Sequence, residues 1–301
     1  MNHLPTLRQL RYLVALAEEA HFGRAAANCF VTQSTLSAGI KELEEILDAQ
    51  LVERTKRSVM VTPLGEEITR RARRIISEAE GLVELAASSR KPLVSQLRFG
   101  VIPTIGPFLL PRVLPELRAM FPELKLYLRE EQTLHLLELL SKGHIEVVLM
   151  ALPYEMRGVE THLLVDDPFF VGLPRSHALA ARKSLSPEEL DPETLLLLED
   201  GHCLRAHALS ACQLVQGPVR RALEATSLHT LVQMVDFGLG VTLLPKLAVD
   251  GGVLRGTDIE IRPLTGKLVS RQIGLVWRKT SGRGREFRLL GECLRDTINS
   301  V

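Results

Sequence analysis

Two cysteines in the second half of the chain offer the most reactive chemistry in the sequence. Cys203 and Cys212 stand nine positions apart in the stretch DGHCLRAHALSAC. The thiolate is the nucleophilic form of cysteine, and neighbouring cations favour it. Cys203 has three neighbours that can carry positive charge, His202, Arg205 and His207, whereas Cys212 follows uncharged residues. The sequence therefore predicts that Cys203 is the reactive thiol of the pair.

Metal binding is an alternative use of the same side chains. Cys203 and His207 are four residues apart and would share one face of a helix as zinc ligands, with His202 or Cys212 as a third. The sequence has no second tight pair of ligands nearby. We therefore expect neither a metal ion nor another cofactor.

Composition favours a folded protein in a reducing compartment. The chain has 301 residues, 46% hydrophobic and 24% charged, with a formal net charge of +1. This length predicts two or three domains. The sequence shows neither an export signal nor an apolar run of membrane-spanning length, so we expect a cytoplasmic protein without membrane contact. The remaining thiols, Cys29 and Cys293, lack cationic neighbours and are expected to pack as small apolar side chains.

The first 62 residues have the pattern of a winged helix-turn-helix. Apolar spacing predicts helices over 7–20 and 24–28, followed by a third helix over 33–47. Small hydrogen-bonding side chains occupy the outward N-terminal face of that third helix, which is typical of a helix that reads the major groove. The alternative is an ordinary three-helix bundle with a solvated polar face. The stretch LVERTKRSVMVTP predicts two short strands around a basic turn, which would form the wing.

Because the whole chain is nearly neutral, contacts with double-stranded DNA must come from local clusters. We expect the third helix to supply Thr32 at its N-cap together with Gln33, Ser34, Thr35, Ser37 and Lys41. The wing is expected to contact phosphates through Arg54, Lys56 and Arg57.

A long helix is predicted over residues 63–88, with Pro63 at its first position. At ~1.5 Å per residue it would span ~39 Å. Apolar residues recur along it at steps of four and three, namely Ile68, Ala72, Ile75, Ala79 and Leu82. Such a seam favours pairing with a second helix and hence a homodimer. The alternative is a helix packed only on its own domain.

From Ser95 onward, strand-like and helix-like segments alternate, which predicts an α/β domain with a mainly parallel sheet. Thr104 follows the first of these strands and precedes a helix. Ligands of open α/β sheets bind at such positions.

The stretch HFGRAAANCFVTQSTLSAGIKELEE, the RTKR turn and the TPLGEEI helix start resemble LysR-type transcriptional regulators. The resemblance covers essentially the whole chain and implies a DNA-binding regulator, not an enzyme. It implies a winged helix-turn-helix over 1–62, a dimerising linker helix over 63–91 and a periplasmic-binding-protein-like effector domain over 92–301. The two effector lobes would comprise 92–165 with 269–301, and 166–268. The family also implies a homotetramer on promoter DNA and contact with RNA polymerase.

Within that family, three stretches resemble the OxyR-type hydrogen peroxide sensors: IPTIGPFLLP, EDGHCLRAHALSAC and SLHTLVQMVDFGLGVTLLP. The resemblance implies that peroxide oxidises Cys203, the peroxidatic thiol, to a sulfenic acid, which condenses with Cys212, the resolving thiol. It implies a peroxide pocket formed by Thr104, Thr133, His202 and Arg271. The regulator would activate oxidative-stress defence genes, and glutaredoxin or thioredoxin would reduce it again. Ala206 departs from the pattern, since aspartate is usual there.

Helical geometry would turn this disulfide into a conformational switch. Nine residues of helix separate two Cα atoms by ~13.5 Å, whereas a disulfide needs about 7 Å or less. Oxidation would therefore have to refold the segment, with Arg205 and His207 tuning the thiolate beforehand.

Two rival functions remain at this point. One is a LysR-type regulator gated by a small metabolite between the effector lobes, with the cysteines incidental. The other is a thiol peroxidase with a DNA-binding head, which is disfavoured because a refolding step would slow turnover.

Overall fold

The computed structural model describes residues 4–54, 59–88, 92–192, 194–211, 224–266 and 269–299. The chain forms two compact units, the first comprising mainly residues 1–87 and the second nearly all of the remainder. Within the described residues, no helix is both long enough and apolar enough to cross a membrane.

The first unit contains the predicted winged helix-turn-helix elements. Its helices are α1 (Leu7–Glu19), α2 (Phe22–Asn28), α3 (Gln33–Leu47) and α4 (Pro63–Ser88), and its antiparallel strands are β1 (Val52–Arg54) and β2 (Val59–Val61). The predicted bounds of α3 and α4 are confirmed, because local signals set them: the Thr32 hydroxyl accepts the Thr35 amide, and proline begins α4.

Close packing of α1 on α3 depends on a glycine. Leu13 and Leu16 of α1 and Leu36 and Ile40 of α3 are fully buried in one core. A Cβ atom at Gly39 would lie 2.7 Å from the Tyr12 ring, so only glycine lets the ring approach α3 this closely.

The second unit is an α/β domain. Its strands are β3 (Gln96–Val101), β4 (Lys125–Glu130), β5 (Val147–Leu152), β6 (Val159–Pro174), β7 (Leu197–Leu198), β8 (Glu224–Ala225), β9 (Thr242–Pro245), β10 (Ile259–Pro263) and β11 (Ser270–Arg278). Its helices are α5 (Gly106–Met120), α6 (Thr133–Lys142), α7 (Cys203–Ala211), α8 (Leu228–Asp236), α9 (Lys246–Asp250) and α10 (Gly284–Asn299), with short 3₁₀ helices at Ala178–Ala181 and Pro187–Glu189.

The expectation of a mainly parallel sheet is wrong. The large sheet has the order β10-β6-β11-β5-β3-β4, with β9 also paired to β6. β3 is parallel to β4 and β5, whereas β11 is antiparallel to both β5 and β6, and β6 is antiparallel to β9 and β10. The cause is β11, which returns from the end of the chain and inserts between β5 and β6. Local patterning contains no information about that long-range insertion.

Strand β6 has 16 residues and runs through two parts of the sheet. Its first part, up to Pro168, pairs with β11, and its last part, from Phe169, pairs with β9 and β10. The small parallel pair β7–β8 precedes and follows α7 along the chain. The domain bounds proposed from sequence remain a prediction.

Candidate redox site and nucleic-acid interface

Cys203 is the first residue of α7 and is only 4% exposed. The helical geometry assumed for the segment after Gly201 is present over Cys203–Ala211, which forms α7. Gly201 has φ +99, a conformation that lets the chain turn sharply before the helix. The N-terminal amides of a helix favour negative charge at this position. Cys212 lies outside the described residues.

A cavity of about 230 Å³ opens beside Cys203. Its lining includes the predicted residues His202 and Arg205 and also Ala206, which stands where the resemblance implies aspartate. The other lining residues were not singled out from the sequence, namely Leu134, Tyr154, Asp200, Gly201 and Leu209. The predicted pocket residues Thr104, Thr133 and Arg271 are not among these lining residues. His202 and Arg205 of the predicted set therefore line the cavity, and Leu134, another lining residue, directly follows Thr133 in the chain.

His202 is buried at 6% exposure, and its Nε2 atom lies 3.9 Å from Oε1 of Glu199. Burial lowers the pKa of His202, while the Glu199 carboxylate opposes that shift. Glu199 in turn accepts a hydrogen bond of 2.8 Å from the Gln132 amide at the start of α6. The neutral ring is therefore the favoured form beside Cys203.

Arg205 is held by three oxygen atoms. Its guanidinium lies 3.0 Å from a carboxylate oxygen of Asp200 and 3.0 Å from one of Glu224, and it donates to the Leu198 carbonyl at 3.0 Å. The positive charge of Arg205 is thus shared with two carboxylates. Its clearest structural effect is to connect α7 to the β7–β8 pair.

His207 connects α7 to the segment after β5. Its Nε2 atom donates to the Pro153 carbonyl at 3.0 Å, because a carbonyl can only accept. Nδ1 is buried, with no hydrogen-bond partner among the described residues. Burial lowers the pKa of His207, the Pro153 hydrogen bond opposes that shift and the nearby Arg271 reinforces it.

Thr104 and Arg271 form a second buried cluster. Arg271 donates from Nη1 to the Thr104 hydroxyl at 2.8 Å and from Nη2 to the Thr104 carbonyl at 3.1 Å. Its Nε atom donates to Asp167 at 2.9 Å, and the other Asp167 oxygen accepts the Leu247 amide at 2.8 Å. The cluster therefore joins the end of β3, strands β6 and β11, and the start of α9.

Asp167 was not identified from the sequence, although the sequence contains a signal for it. A charged residue inside an apolar strand implies a buried partner, and both Asp167 in VDDPFFVGLP and Arg271 in SRQIGLVWR stand in such strands. The two residues lie directly opposite each other in the β6–β11 register.

Thr133 is the first residue of α6 and is 1% exposed. Its hydroxyl oxygen is buried without a hydrogen-bond partner among the described residues. Thr133 thus retains an unused donor and acceptor. Within the described part of the chain, no group of three or more His, Cys, Asp or Glu side chains is arranged to hold a metal ion.

The predicted DNA-reading face is exposed at the start of α3. Thr32, Gln33, Ser34, Thr35 and Lys41 are exposed, and Ser37 is partly exposed. The Thr32 hydroxyl hydrogen-bonds with the hydroxyls of Ser34 and Thr35 at 2.9 and 2.8 Å. Among the wing residues, Arg54 ends β1, but its side chain is not described, and Lys56 and Arg57 lie outside the described residues.

The predicted seam of α4 has two different surroundings. Ala72 is 1% exposed and Ile68 is partly buried, and both pack into the core of the first unit. Ile75 and Leu82 are 50% and 70% exposed, and Ala79 is partly exposed. Only the C-terminal part of the predicted seam is therefore free to contact a second chain.

Comparison with known proteins agrees with both units. A family model for the bacterial regulatory helix-turn-helix protein, lysR family, matches residues 7–66, and one for the LysR substrate binding domain matches residues 90–299. The chain is 40% identical over 295 residues to the HTH-type transcriptional regulator EstR of Acinetobacter baylyi, covering 98% of each chain.

Two further proteins are similar over nearly the full length. The hydrogen peroxide-inducible genes activator of Escherichia coli O157:H7 is 40% identical over 289 residues, covering 96% of this chain and 94% of that protein. The structure of a full-length OxyR variant from Pseudomonas aeruginosa superposes with a TM-score of 0.81 at 39% identity, covering 97% of this chain and 95% of that one. The chain therefore belongs to the LysR family of bacterial helix-turn-helix transcriptional regulators.

Proposed function

We propose that this LysR-family protein is a cytoplasmic regulator that senses hydrogen peroxide through a reversible disulfide between Cys203 and Cys212. The observation that carries the proposal is the setting of Cys203, a buried thiol at the N-terminus of α7 that lines a cavity of about 230 Å³. Similarity to a hydrogen peroxide-inducible genes activator and to OxyR supports the same function.

The length of α7 supports a switch. From Cys203 to Ala211 the helix has nine residues, which at ~1.5 Å per residue separates their Cα atoms by ~12 Å. Consecutive Cα atoms are ~3.8 Å apart in whatever direction the chain continues, so an intact α7 keeps the residue after Ala211 at least ~8 Å from Cys203, beyond the limit of about 7 Å for a disulfide. A bond between Cys203 and Cys212 thus requires α7 to unwind.

Unwinding α7 would break identifiable contacts. The hydrogen bond from His207 to Pro153 and the three contacts of Arg205 hold α7 in its helical state. Loss of these contacts is the route by which oxidation would bias the effector domain and re-space the DNA-binding heads. In this proposal Arg205 and His207 influence Cys203 mainly by holding its helix.

The peroxide-binding roles are proposed from resemblance together with the geometry. Thr133 has a buried hydroxyl available for a ligand, and His202 lies beside Cys203. Thr104 and Arg271 are bonded to each other and to Asp167. These contacts of Thr104 and Arg271 hold the domain together, and their contact with peroxide stays part of the proposal.

We propose that on DNA the protein is a homodimer or homotetramer that reads a promoter operator through α3. The exposed Ile75 and Leu82 of α4 are the proposed dimer contacts. The oxidised form would activate oxidative-stress defence genes through contact with RNA polymerase, and glutaredoxin or thioredoxin would restore the thiols. The protein reacts once per signal and is not a turnover enzyme.

A Cys203→Ser variant tests the proposal. The DNA footprint and the transcription from a bound promoter are measured before and after addition of hydrogen peroxide. We expect the wild-type footprint to change and that of Cys203→Ser to stay fixed, whereas Cys293→Ser, which alters a partly buried helical cysteine, serves as the control. A full peroxide response in Cys203→Ser refutes redox sensing.

A small metabolite is the second candidate signal, favoured by the equal identity to EstR, whose name specifies no peroxide. The buried Asp167 already neutralises Arg271, which disfavours an anionic metabolite at that arginine. A peroxide-independent footprint that shifts with a metabolite would support this second candidate.

A further inference from the structure

The cavity beside Cys203 contains one hydroxyl group that the proposed chemistry has not used. Among its lining residues, Tyr154 alone carries an O–H group. Arg205 and Asp200 are paired with each other at 3.0 Å, and Ala206 offers only a methyl group. Tyr154 and Cys203 line the same cavity, so Tyr154 is the residue there that can offer a hydroxyl to a small molecule.

The helix that carries Cys203 also holds Tyr154 in place. His207, one helical turn after Cys203, donates to the carbonyl of Pro153, the residue that precedes Tyr154. Tyr154 is partly buried and packs against the core of the effector domain. The segment that carries Tyr154 is thus hydrogen-bonded to the helix that carries Cys203.

The electrostatics suit a proton donor. Burial raises the pKa of Tyr154, and the charge of Cys203 raises it further. The phenol therefore stays protonated when Cys203 is a thiolate, and it can donate when charge develops on a departing oxygen.

We propose that the Tyr154 hydroxyl donates the proton to the oxygen that leaves when Cys203 cleaves hydrogen peroxide, an inference that rests on the proposed function. The Cys203 sulfur attacks one peroxide oxygen, an S–O bond forms and the O–O bond breaks. The bonding electron pair leaves with the second oxygen, which takes the phenolic proton and departs as water. Sulfur is oxidised to sulfenic acid, peroxide is reduced, and the phenolate regains a proton from solvent.

The test compares two reactions of the same thiol. Full-length Cys212→Ser protein, which cannot form the disulfide, is treated with hydrogen peroxide, and the sulfenic acid is trapped with dimedone and measured by mass spectrometry. The second reaction is alkylation by iodoacetamide, whose leaving iodide needs no proton. Tyr154→Phe keeps the ring and removes only the hydroxyl. Tyr127→Phe, which alters an exposed tyrosine of β4, is the matched control.

We expect Tyr154→Phe to lower the peroxide rate constant about 100-fold while the iodoacetamide rate constant stays unchanged. Tyr127→Phe should leave both rates unchanged. Equal losses in both reactions would show that the phenol only organises the thiol, and no loss in either would show that it has no part; both results overturn the inference. If Cys203 with Tyr154 intact is alkylated but is inert to peroxide, the proposed function itself fails.

Discussion

The buried pair of Arg271 and Asp167 gives the sharpest stability prediction. The Arg271 side chain is 0% exposed and that of Asp167 is 2% exposed. If one partner is removed, water therefore cannot solvate the charge that remains. Asp167→Ala removes the carboxylate from Nε of Arg271 and also removes the acceptor of the Leu247 amide. The two Thr104 contacts of Arg271 remain, but they do not compensate its charge.

Removing one partner of a buried ion pair costs about 3–5 kcal/mol, because the other charge stays buried and uncompensated. We therefore expect Asp167→Ala to lower the free energy of unfolding of the effector domain by about 4 kcal/mol. Urea unfolding followed by fluorescence of Trp277, the single tryptophan of the chain, measures this, because Trp277 lies in the same strand as Arg271.

The neighbouring Asp166 provides a matched control. It is exposed and accepts one hydrogen bond from Gln272 at 3.1 Å. Asp166→Ala should change stability by less than about 0.5 kcal/mol. The double variant Asp167→Leu/Arg271→Met should recover most of the loss, because it leaves no buried charge. A loss below about 1 kcal/mol for Asp167→Ala, or an equal loss for Asp166→Ala, would refute the reasoning.

Three further predictions concern other parts of the chain. Gly39→Ala should destabilise the first unit by about 1–3 kcal/mol, because the new methyl group meets the Tyr12 ring, and circular dichroism during unfolding measures this. Gln33→Ala should lower discrimination between operator sequences by about 1–3 kcal/mol with an unchanged salt dependence in titrations of binding. His207→Gln should reduce the loss of stability in acid, measured as urea midpoints from neutral to mildly acidic pH.

The sign of the pH effect follows from the histidine. Because the pKa of His207 is lower in the folded protein than its ordinary value of 6.5, the unfolded chain binds more protons below that pH. The stabilising contribution of neutral His207 is thus fully present above pH 6.5. It is lost as the pH falls through the pKa of His207 in the folded protein. Glutamine keeps an N–H donor for Pro153 and does not titrate. An unchanged pH profile in His207→Gln would contradict this assignment, and His135→Gln, at an exposed position, is the control.

Gly39→Ala and Gln33→Ala each also have a result that would contradict the prediction. Gly39→Ala with full stability and full DNA affinity would mean that the Tyr12 ring moves aside at no cost. If Gln33→Ala weakens binding equally on every DNA sequence, Gln33 contacts the backbone and not the bases. Arg54→Ala, which removes an expected phosphate contact of the wing, is the comparison for that case, since loss of a phosphate contact lowers the salt slope by about one.

The sequence alone determined the elements whose ends carry local signals. The Thr32 cap and Pro63 start helices at the predicted residues. The sequence also directed attention to Cys203, because its charged neighbours are adjacent in the chain. These features depend on interactions within a few residues, which a local pattern records.

Tertiary structure decided what depends on distant segments. Arg271 and Asp167 are 104 residues apart in sequence and meet only because β11 inserts beside β6 in a particular register. The same insertion makes much of the sheet antiparallel, and the packing of α7 on the segment after β5 leaves Tyr154 beside Cys203. A shift of one residue in the β6–β11 register would turn every side chain of the strand to the opposite face. Such placements follow from the packing of the whole chain, so a local pattern cannot specify them.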